Sequence, residues 1–86
     1  MTNRELLEIT LKVNIGTCNE IYTKINRDGQ FEHPTRIDVM LVKSFNTLVS
    51  MNQAILDVLY PERADMNLPN PKHLAFNGSE IVEVEM

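Results

Sequence analysis

One uninterrupted stretch, residues 35–60, constrains the fold more than any other part of the sequence. It contains no glycine and no internal proline, so none of its residues is a strong helix breaker. A continuous helix of this length spans about 39 Å. When successive residues are placed at about 100° intervals, the apolar side chains fill an arc of roughly 200°, about twice the width that a single core requires. The stretch therefore predicts a long helix that is covered from two directions.

The apolar arc of this helix has two adjoining sides. The first side consists of Ile37, Met40, Leu41, Leu48, Met51, Ile55, Val58 and Leu59. The second side consists of Val42, Phe45, Val49, Leu56 and Tyr60. One other helix of the chain can cover one side, and the remaining residues are too few and too polar to cover all of the other. We therefore expect a homo-oligomer whose interface is formed by Val42, Phe45, Val49, Asn52 and Leu56.

Residues 3–27 contain two competing patterns. Apolar residues recur at intervals of three or four through the whole segment, which is typical of a helix. Within 8–15, apolar and polar residues alternate, which is typical of a strand. We favour the helix because its period accounts for the longer segment. Thr2 with Glu5 fits a capping box at the start of such a helix.

A short connection joins the two predicted helices. Gly29 suits the left-handed position that follows a helix, and Thr35 with Asp38 fits the start of the next one. A connection of about eight residues favours antiparallel neighbours. The predicted fold class is all-α, an antiparallel two-helix hairpin over about 3–27 and 35–60.

A C-terminal arm, residues 61–86, follows the helical hairpin and belongs to the same single domain. It contains prolines, and we expect one or two helical turns between Asn70 and Phe76. The final residues alternate as a strand does, yet a single strand has no partner in a helical chain. It either binds a partner as an added strand or is a tail ordered by the oligomer itself. The candidate residues for a partner-binding strand are Ile81, Val82 and Val84.

Charge and composition exclude several classes of function. The net charge is −4, and the acidic excess lies mainly in the arm, so no basic face for duplex nucleic acid is visible. No segment is apolar over the length of a membrane span. The single cysteine, Cys18, cannot form an internal disulfide. We therefore expect a cytoplasmic protein that binds neither membrane nor duplex.

No residue pattern indicates catalysis or metal binding. His33 and His73 are 40 residues apart, and no group of ligands has a recognised spacing. Cys18 lies on an apolar helix face without a neighbouring base. We therefore expect no catalytic residue, no metal, no cofactor and no enzyme activity. Asn14 and Asn52 either lie buried between helices, where each needs a partner, or lie at the border of a face and bind water.

The segment LVSMNQAI at 48–55 resembles the closing segment of the second helix in a family of small phage proteins. These helical-hairpin proteins oligomerise and sequester the cyclic oligonucleotide signals of bacterial CBASS and Thoeris immunity (the anti-CBASS sponge family). The resemblance implies that cations and aromatic rings line a groove for an anionic ligand between subunits. The residues that it suggests for such contacts are Lys12, Tyr22, Lys24, Arg36 and Lys43.

Taken together, these features predict a small, self-associating, non-enzymatic binding protein. We expect it to be encoded by a phage or mobile element and to act in the host cytoplasm. Its partners would be itself and a host protein on which it docks as an inhibitor or sequestering agent. One alternative is a sponge for cyclic oligonucleotide signals, as the resemblance implies. A further alternative is a structural or assembly component.

Overall fold

The fold consists of two long helices and a small β-hairpin. The computed structural model describes residues 1–26, 31–62 and 72–85. Its elements are α1 (Asn3–Ile25), α2 (Arg36–Leu59), β1 (Lys72–Phe76) and β2 (Ile81–Glu85). The expectation of two helices is confirmed. The expectation of an all-α fold is corrected, because the C-terminal strands pair into an antiparallel sheet.

Both helices begin with a capping box. In α1 the Thr2 hydroxyl accepts a hydrogen bond from the Glu5 N–H at 3.1 Å, and Glu5 accepts one from the Thr2 N–H. Thr35 and Asp38 make the same reciprocal pair at the start of α2, at 3.2 and 2.8 Å. These side chains satisfy backbone donors that have no partner within the helix. Residues 8–15 are helical, so the strand alternative is excluded.

The ends of the helices fall close to the predicted positions. Asn26 caps α1 by donating its N–H to the Tyr22 carbonyl, and Tyr60 caps α2 by donating to the Leu56 carbonyl, each at 2.8 Å. Gly29, the predicted left-handed residue, lies outside the described residues. At the opposite end of the helical pair, Arg4 of α1 donates to the Leu59 carbonyl at 3.3 Å. This contact joins the start of α1 to the end of α2, as an antiparallel pair requires.

The β-hairpin replaces the helical turns expected before Asn77. Strand β1 pairs with β2 in a register that places Leu74 opposite Glu83 and Phe76 opposite Ile81. The Asn77 side-chain oxygen closes the loop by accepting the N–H groups of Ser79 and Glu80. Gly78 within the loop has a φ of 101°. The expectation that β2 lacks a partner is thus corrected: β1 of the same chain supplies the ladder. Asn70, where the expected helical turns begin, lies outside the described residues.

The hydrophobic core lies where α1, α2 and the β-hairpin meet. Leu74 and Ile81, one from each strand, are 2% exposed. They pack in a cluster with Cys18, Ile25, Val42, Phe45 and Val49. The Ile81 N–H also donates to the Phe31 carbonyl at 2.7 Å, which ties β2 to the connection between the helices. The arm therefore completes the core of the monomer. Neither helix in the described part of the chain is long and apolar enough to cross a membrane.

Candidate interaction surface on the second helix

The β-hairpin is attached to α2 by two polar side chains. Asn46 pairs with the outer edge of β1: its Nδ2 donates to the Leu74 carbonyl at 2.7 Å, and its Oδ1 accepts the Leu74 N–H at 2.8 Å. One turn further along α2, the Ser50 hydroxyl lies 3.3 Å from Nε2 of His73. These contacts fix which side of α2 the sheet covers, and so they also determine which side it leaves bare.

The side of α2 on which we expected a second subunit is the side that the chain itself covers. Val42, Phe45 and Val49 are buried in the core cluster, and Asn52 and Leu56 are partly buried. The expectation that the arm could not cover them is corrected, because strand pairing lets a short segment deliver Leu74 and Ile81 to the core. These five residues are therefore largely occupied within the monomer.

The bare side of α2 carries a regular row of uncharged residues, which we call the exposed stripe. It consists of Ile37, Met40, Ser44, Thr47, Met51, Ala54 and Val58, all classed as exposed. Ile37, Met40, Met51 and Val58 are 63, 65, 45 and 67% exposed. The seven residues are separated by alternating steps of three and four, the spacing of the seam in helices that pack against helices. Large apolar side chains exposed in such a row are typical of a binding surface.

The exposed stripe points away from the sheet. At about 100° per residue, its centre lies roughly 130° around α2 from Asn46 and roughly 180° from Val42 and Val49. A second group of exposed apolar residues lies on α1, and we call it the α1 patch: Leu6, Ile9 and Val13. It lies roughly 140° to 180° around α1 from Tyr22, whose hydroxyl contacts β2. Both surfaces therefore belong to the face of the helical pair opposite the sheet.

The charged residues near the exposed stripe lie along one border. Arg36, Lys43, Ser50 and Asp57 recur every seven residues, immediately beside the stripe. The first two are basic and the last is acidic, so the border changes sign from the N-terminal to the C-terminal half of α2. The opposite border consists of Leu41, Leu48 and Ile55, which are buried or partly buried. The stripe thus has one polar and one apolar border.

The five residues suggested for anionic-ligand contacts are not brought together. Lys12 and Lys24 are twelve residues apart on α1, which corresponds to about 18 Å along the axis. Lys12 lines a groove of about 260 Å³ beside Glu8 and Leu59, whereas Lys24 lines another beside Glu20. Arg36 and Lys43 lie on the border of the stripe on α2. Tyr22, the fifth, is engaged by an acidic residue.

Tyr22 lies beside Glu83 of β2. Its hydroxyl donates to Glu83 Oε1 at 2.6 Å, and Lys72 Nζ lies 3.5 Å from Glu83 Oε2. The hydrogen bond to the carboxylate raises the pKa of Tyr22, with smaller contributions from desolvation and from the negative charge. The same hydrogen bond lowers the pKa of Glu83. The Tyr22 ring also stacks edge-on against Phe31, with centroids 5.8 Å apart. This cluster fixes β2 onto α1.

The two histidines and the cysteine differ in their surroundings. His73 is 4% exposed, and no group in the described residues forms a hydrogen bond with its Nδ1, whereas His33 is exposed. Burial raises the pKa of the Cys18 thiol. Within residues 1–26, 31–62 and 72–85, no three side chains of metal-binding type converge. The sequence did not indicate that His73 is buried, because its burial depends on the packing of β1 against α2.

The two asparagines in the helical interface differ in how well they are satisfied. Asn14 is buried, and its Nδ2 has no hydrogen-bond partner among the residues that the structure describes. Asn52 is partly buried; its Nδ2 lies 3.9 Å from Cys18 Sγ, and its Oδ1 accepts no hydrogen bond from the described part of the chain. Of the two alternatives for these residues, burial between helices therefore holds for Asn14, whereas Asn52 is only partly buried as a residue although its Oδ1 is enclosed.

Sequence and structure were also compared with those of known proteins. Neither protein-family models, nor curated proteins, nor solved structures gave a match to the chain.

The residues that sequence reasoning missed are Asn46 and Ser50, which anchor the sheet. The available signal was their polarity within an otherwise apolar part of α2. The functional hypothesis therefore depends on the surfaces described above.

Proposed function

We propose that this protein is a non-enzymatic helical binding protein that self-associates through the exposed stripe of α2. The observation that supports the proposal is the combination of spacing, exposure and absence of charge in that stripe. Seven exposed positions over 22 residues carry neither a lysine nor a glutamate, although such residues are usual on a solvated helix face. The same spacing buries side chains well when two helices pack together.

The driving force for this association is burial of apolar surface. Removing apolar area from water contributes about 25 cal/mol per Å². A chain of 86 residues gains from such burial because its own core is small. Association through the stripe leaves the β-hairpin in place, since the hairpin lies on the other side of the helical pair.

We further propose that the self-associated form docks on a host macromolecule and inhibits or sequesters it. Support comes from the α1 patch of Leu6, Ile9 and Val13, which are 54, 48 and 61% exposed. The patch lies on α1, so none of its residues belongs to the stripe through which two copies would pack. Exposed apolar groups of this kind are typical of interaction sites.

The oligomeric state tests this proposal. Light scattering after size exclusion at micromolar concentration should give a mass above the 9.9 kDa of one chain. Val58→Glu should restore the monomer, because a carboxylate in a buried helix seam costs several kcal/mol. Val13→Glu is the matched control, since it adds the same charge at a similarly exposed valine on α1. It should leave the mass unchanged.

Circular dichroism on both variants separates dissociation from unfolding. Both should keep the helical signal of the wild type. A wild-type protein that remains a folded monomer over the whole concentration range would contradict self-association. A Val13→Glu variant that dissociates as completely as Val58→Glu would mean that the stripe is not the specific contact.

A further inference from the structure

We propose that the outer edge of β2 binds an extended polypeptide segment in which basic and apolar residues alternate, as an added antiparallel strand. The inference goes beyond self-association through the exposed stripe and does not depend on it, because β2 and the stripe lie on opposite faces of the helical pair. It rests on the direction of the backbone groups of β2, on the part of its edge that no described residue covers, and on the charge of the β-hairpin.

The existing contacts of the β-hairpin show which backbone groups of β2 point outward. In an antiparallel pair, residues directly opposite each other either exchange both backbone hydrogen bonds or point both groups away from the partner strand. Both backbone groups of Leu74 bond to Asn46 of α2, so Leu74 is of the second kind, and Glu83 lies directly opposite it. The N–H and carbonyl of Glu83 therefore point away from β1. Because the pattern repeats every two residues, those of Glu85 do the same.

A second contact gives the same direction independently. The Ile81 N–H, two residues before Glu83, donates to the Phe31 carbonyl at 2.7 Å, outside the sheet. The outer edge of β2 thus already bonds to one main-chain group. Within residues 1–26, 31–62 and 72–85, no main-chain group bonds to the N–H or carbonyl of Glu83 or Glu85 on this edge. Strand edges with unpaired backbone groups are templates for another extended chain.

The charge of the β-hairpin determines the sign of the partner. Residues 72–85 contain one basic residue, Lys72, and three acidic residues, Glu80, Glu83 and Glu85, which gives a net charge of −2. The Glu83 carboxylate already accepts from Tyr22 and lies near Lys72, so the preference depends on the net charge of the β-hairpin and not on Glu83 alone. Opposite charges on neighbouring strands stabilise their pairing, and like charges destabilise it. A basic segment is therefore favoured over an acidic one.

The valines of β2 determine the other half of the pattern. Val82 and Val84 lie on the opposite face of the strand from Glu83, and both are partly buried. Residues of an added strand that lie opposite these valines project on the same face and pack beside them. The matching segment therefore has basic residues opposite Glu83 and Glu85, and β-branched apolar residues opposite Val82 and Val84.

A second copy of this chain fits the same edge poorly. If two β2 strands paired antiparallel through their outer edges, the outward-pointing residues of one copy would face those of the other. The N–H of Ile81 is occupied by Phe31, so the free residues are Glu83 and Glu85, and each would face a glutamate. Like charges directly opposite each other destabilise a strand pair. The edge thus favours a basic partner over self-pairing.

Titration of the full chain with a synthetic peptide tests the proposal. The probe is a five-residue peptide in which lysine alternates with valine, blocked at both ends. NMR should show saturable shifts of the Glu83 and Glu85 amide signals and slower hydrogen exchange at both amides. The Val82 and Val84 amides are internal controls, because they point towards β1 and their exchange should change little. Unchanged signals of Glu83 and Glu85 at millimolar peptide would overturn the proposal.

Two N-methylated peptides separate strand addition from simple attraction between charges. Each lysine that lies opposite a glutamate points its N–H towards β2, whereas each valine points its N–H away. N-methylation of the lysines should weaken binding about tenfold, because hydrogen bonds to the edge are lost. N-methylation of the valines is the matched control and should leave the dissociation constant nearly unchanged. Equal binding of the two methylated peptides would overturn strand addition.

The preference for a basic partner is tested with a third peptide. A peptide with glutamate in place of lysine should bind about fivefold more weakly than the lysine peptide at low salt. Equal binding of these two peptides would overturn the assignment of a basic partner. Protection of the Glu83 and Glu85 amides that grows with protein concentration, without peptide, would overturn it as well, because the occupant would then be a second copy.

A matched pair of variants locates the charge on the protein. Glu83→Gln removes one charge but keeps an acceptor for the Tyr22 hydroxyl, and it should weaken binding of the lysine peptide about twofold. Glu20→Gln, at an exposed position on α1, removes the same charge and should leave binding unchanged. Equal weakening by the two variants would show that the peptide responds to the charge of the whole protein, and it would overturn recognition by the sheet edge.

Discussion

The side-chain amide of Asn46 satisfies both backbone polar groups of Leu74, at 2.7 and 2.8 Å. A helix residue thereby does for β1 what a neighbouring strand does in a larger sheet. A two-stranded hairpin is marginally stable by itself, and its outer edges carry unpaired backbone groups. Asn46 covers one edge at Leu74, and the Phe31 carbonyl covers the other at Ile81. The sheet is held by α2 and by the interhelical connection together.

Replacing Asn46 should loosen the sheet. Asn46→Leu keeps the branching of the side chain but leaves the Leu74 N–H and carbonyl without partners, at a cost of about 2 kcal/mol. Urea denaturation measures the loss, and hydrogen exchange at Leu74 should become faster. Asn19→Leu, at an exposed position on α1, is the control and should change stability little. Equal stability of Asn46→Leu and the wild type would show that the paired amide makes no net contribution.

Truncating Ile81 should destabilise the whole monomer. Ile81→Ala removes a 2% exposed side chain from the core cluster, and such substitutions cost about 2–4 kcal/mol. Val82→Ala, on the other face of β2 and only partly buried, should cost clearly less. Thermal unfolding followed by circular dichroism compares the two. If both variants melt with the wild type, β2 is not part of the cooperative core.

Two glycine substitutions should act in opposite directions. Gly78→Ala forces an alanine into a backbone with φ of 101° and should destabilise by about 1 kcal/mol. Gly16→Ala, within α1, places its methyl group more than 4 Å from any described atom outside the adjoining helix backbone, and it should stabilise by about 0.5–1 kcal/mol. Melting temperatures of the two variants measure the contrast. If Gly78→Ala raised the melting temperature, the backbone at this position of the turn would not require glycine.

The Tyr22–Glu83 contact predicts a particular dependence of stability on pH. The pKa of Glu83 is lowered on folding, so the contact stabilises above the ordinary carboxyl range and is lost as pH falls through the lower folded value. The pKa of Tyr22 is raised, so its contribution is complete below about pH 10 and is lost as pH rises through the higher folded value. The contact is therefore fully present between about pH 5 and 10.

Tyr22→Phe checks this dependence, because it removes the hydroxyl and keeps the ring. The free energy of unfolding of the variant should fall below that of the wild type at pH 7, and the difference should shrink at pH 3. Urea titrations at the two pH values measure it. A difference that stays constant with pH would show that the Tyr22 hydroxyl stabilises the fold independently of the charge on Glu83.

Local sequence signals predicted the helices well. The reciprocal pairs Thr2 with Glu5 and Thr35 with Asp38 act within four residues, so spacing alone is sufficient to locate the helix starts. The width of the apolar arc on α2 correctly indicated that it packs on more than one side. These features depend on neighbours in the chain and not on the tertiary fold.

The sequence did not predict which side of α2 the arm covers. That choice depends on Asn46 pairing with Leu74, 28 residues away, and pairings of that separation leave no periodic pattern. Strand β1 was missed because a five-residue segment after a proline resembles a helix start. The Asn77-Gly78 pair, a strong turn signal between two apolar runs, was the available indication of a hairpin. The exposed stripe can be identified only when the side of α2 that the sheet covers is known.

The attachment of the sheet by long-range contacts has a consequence for the order of folding. The helical pair needs only the short connection, whereas the Tyr22–Glu83 contact closes a separation of 61 residues. Contacts that are distant in sequence form more slowly, because more chain entropy is lost before they are made. We expect an early species in which α1 and α2 are packed together but Leu74 and Ile81 have not yet packed against Val42 and Val49. Until then the sheet-facing side of α2 and the exposed stripe are both accessible to solvent, so the risk of aggregation depends on how fast the β-hairpin packs against α2.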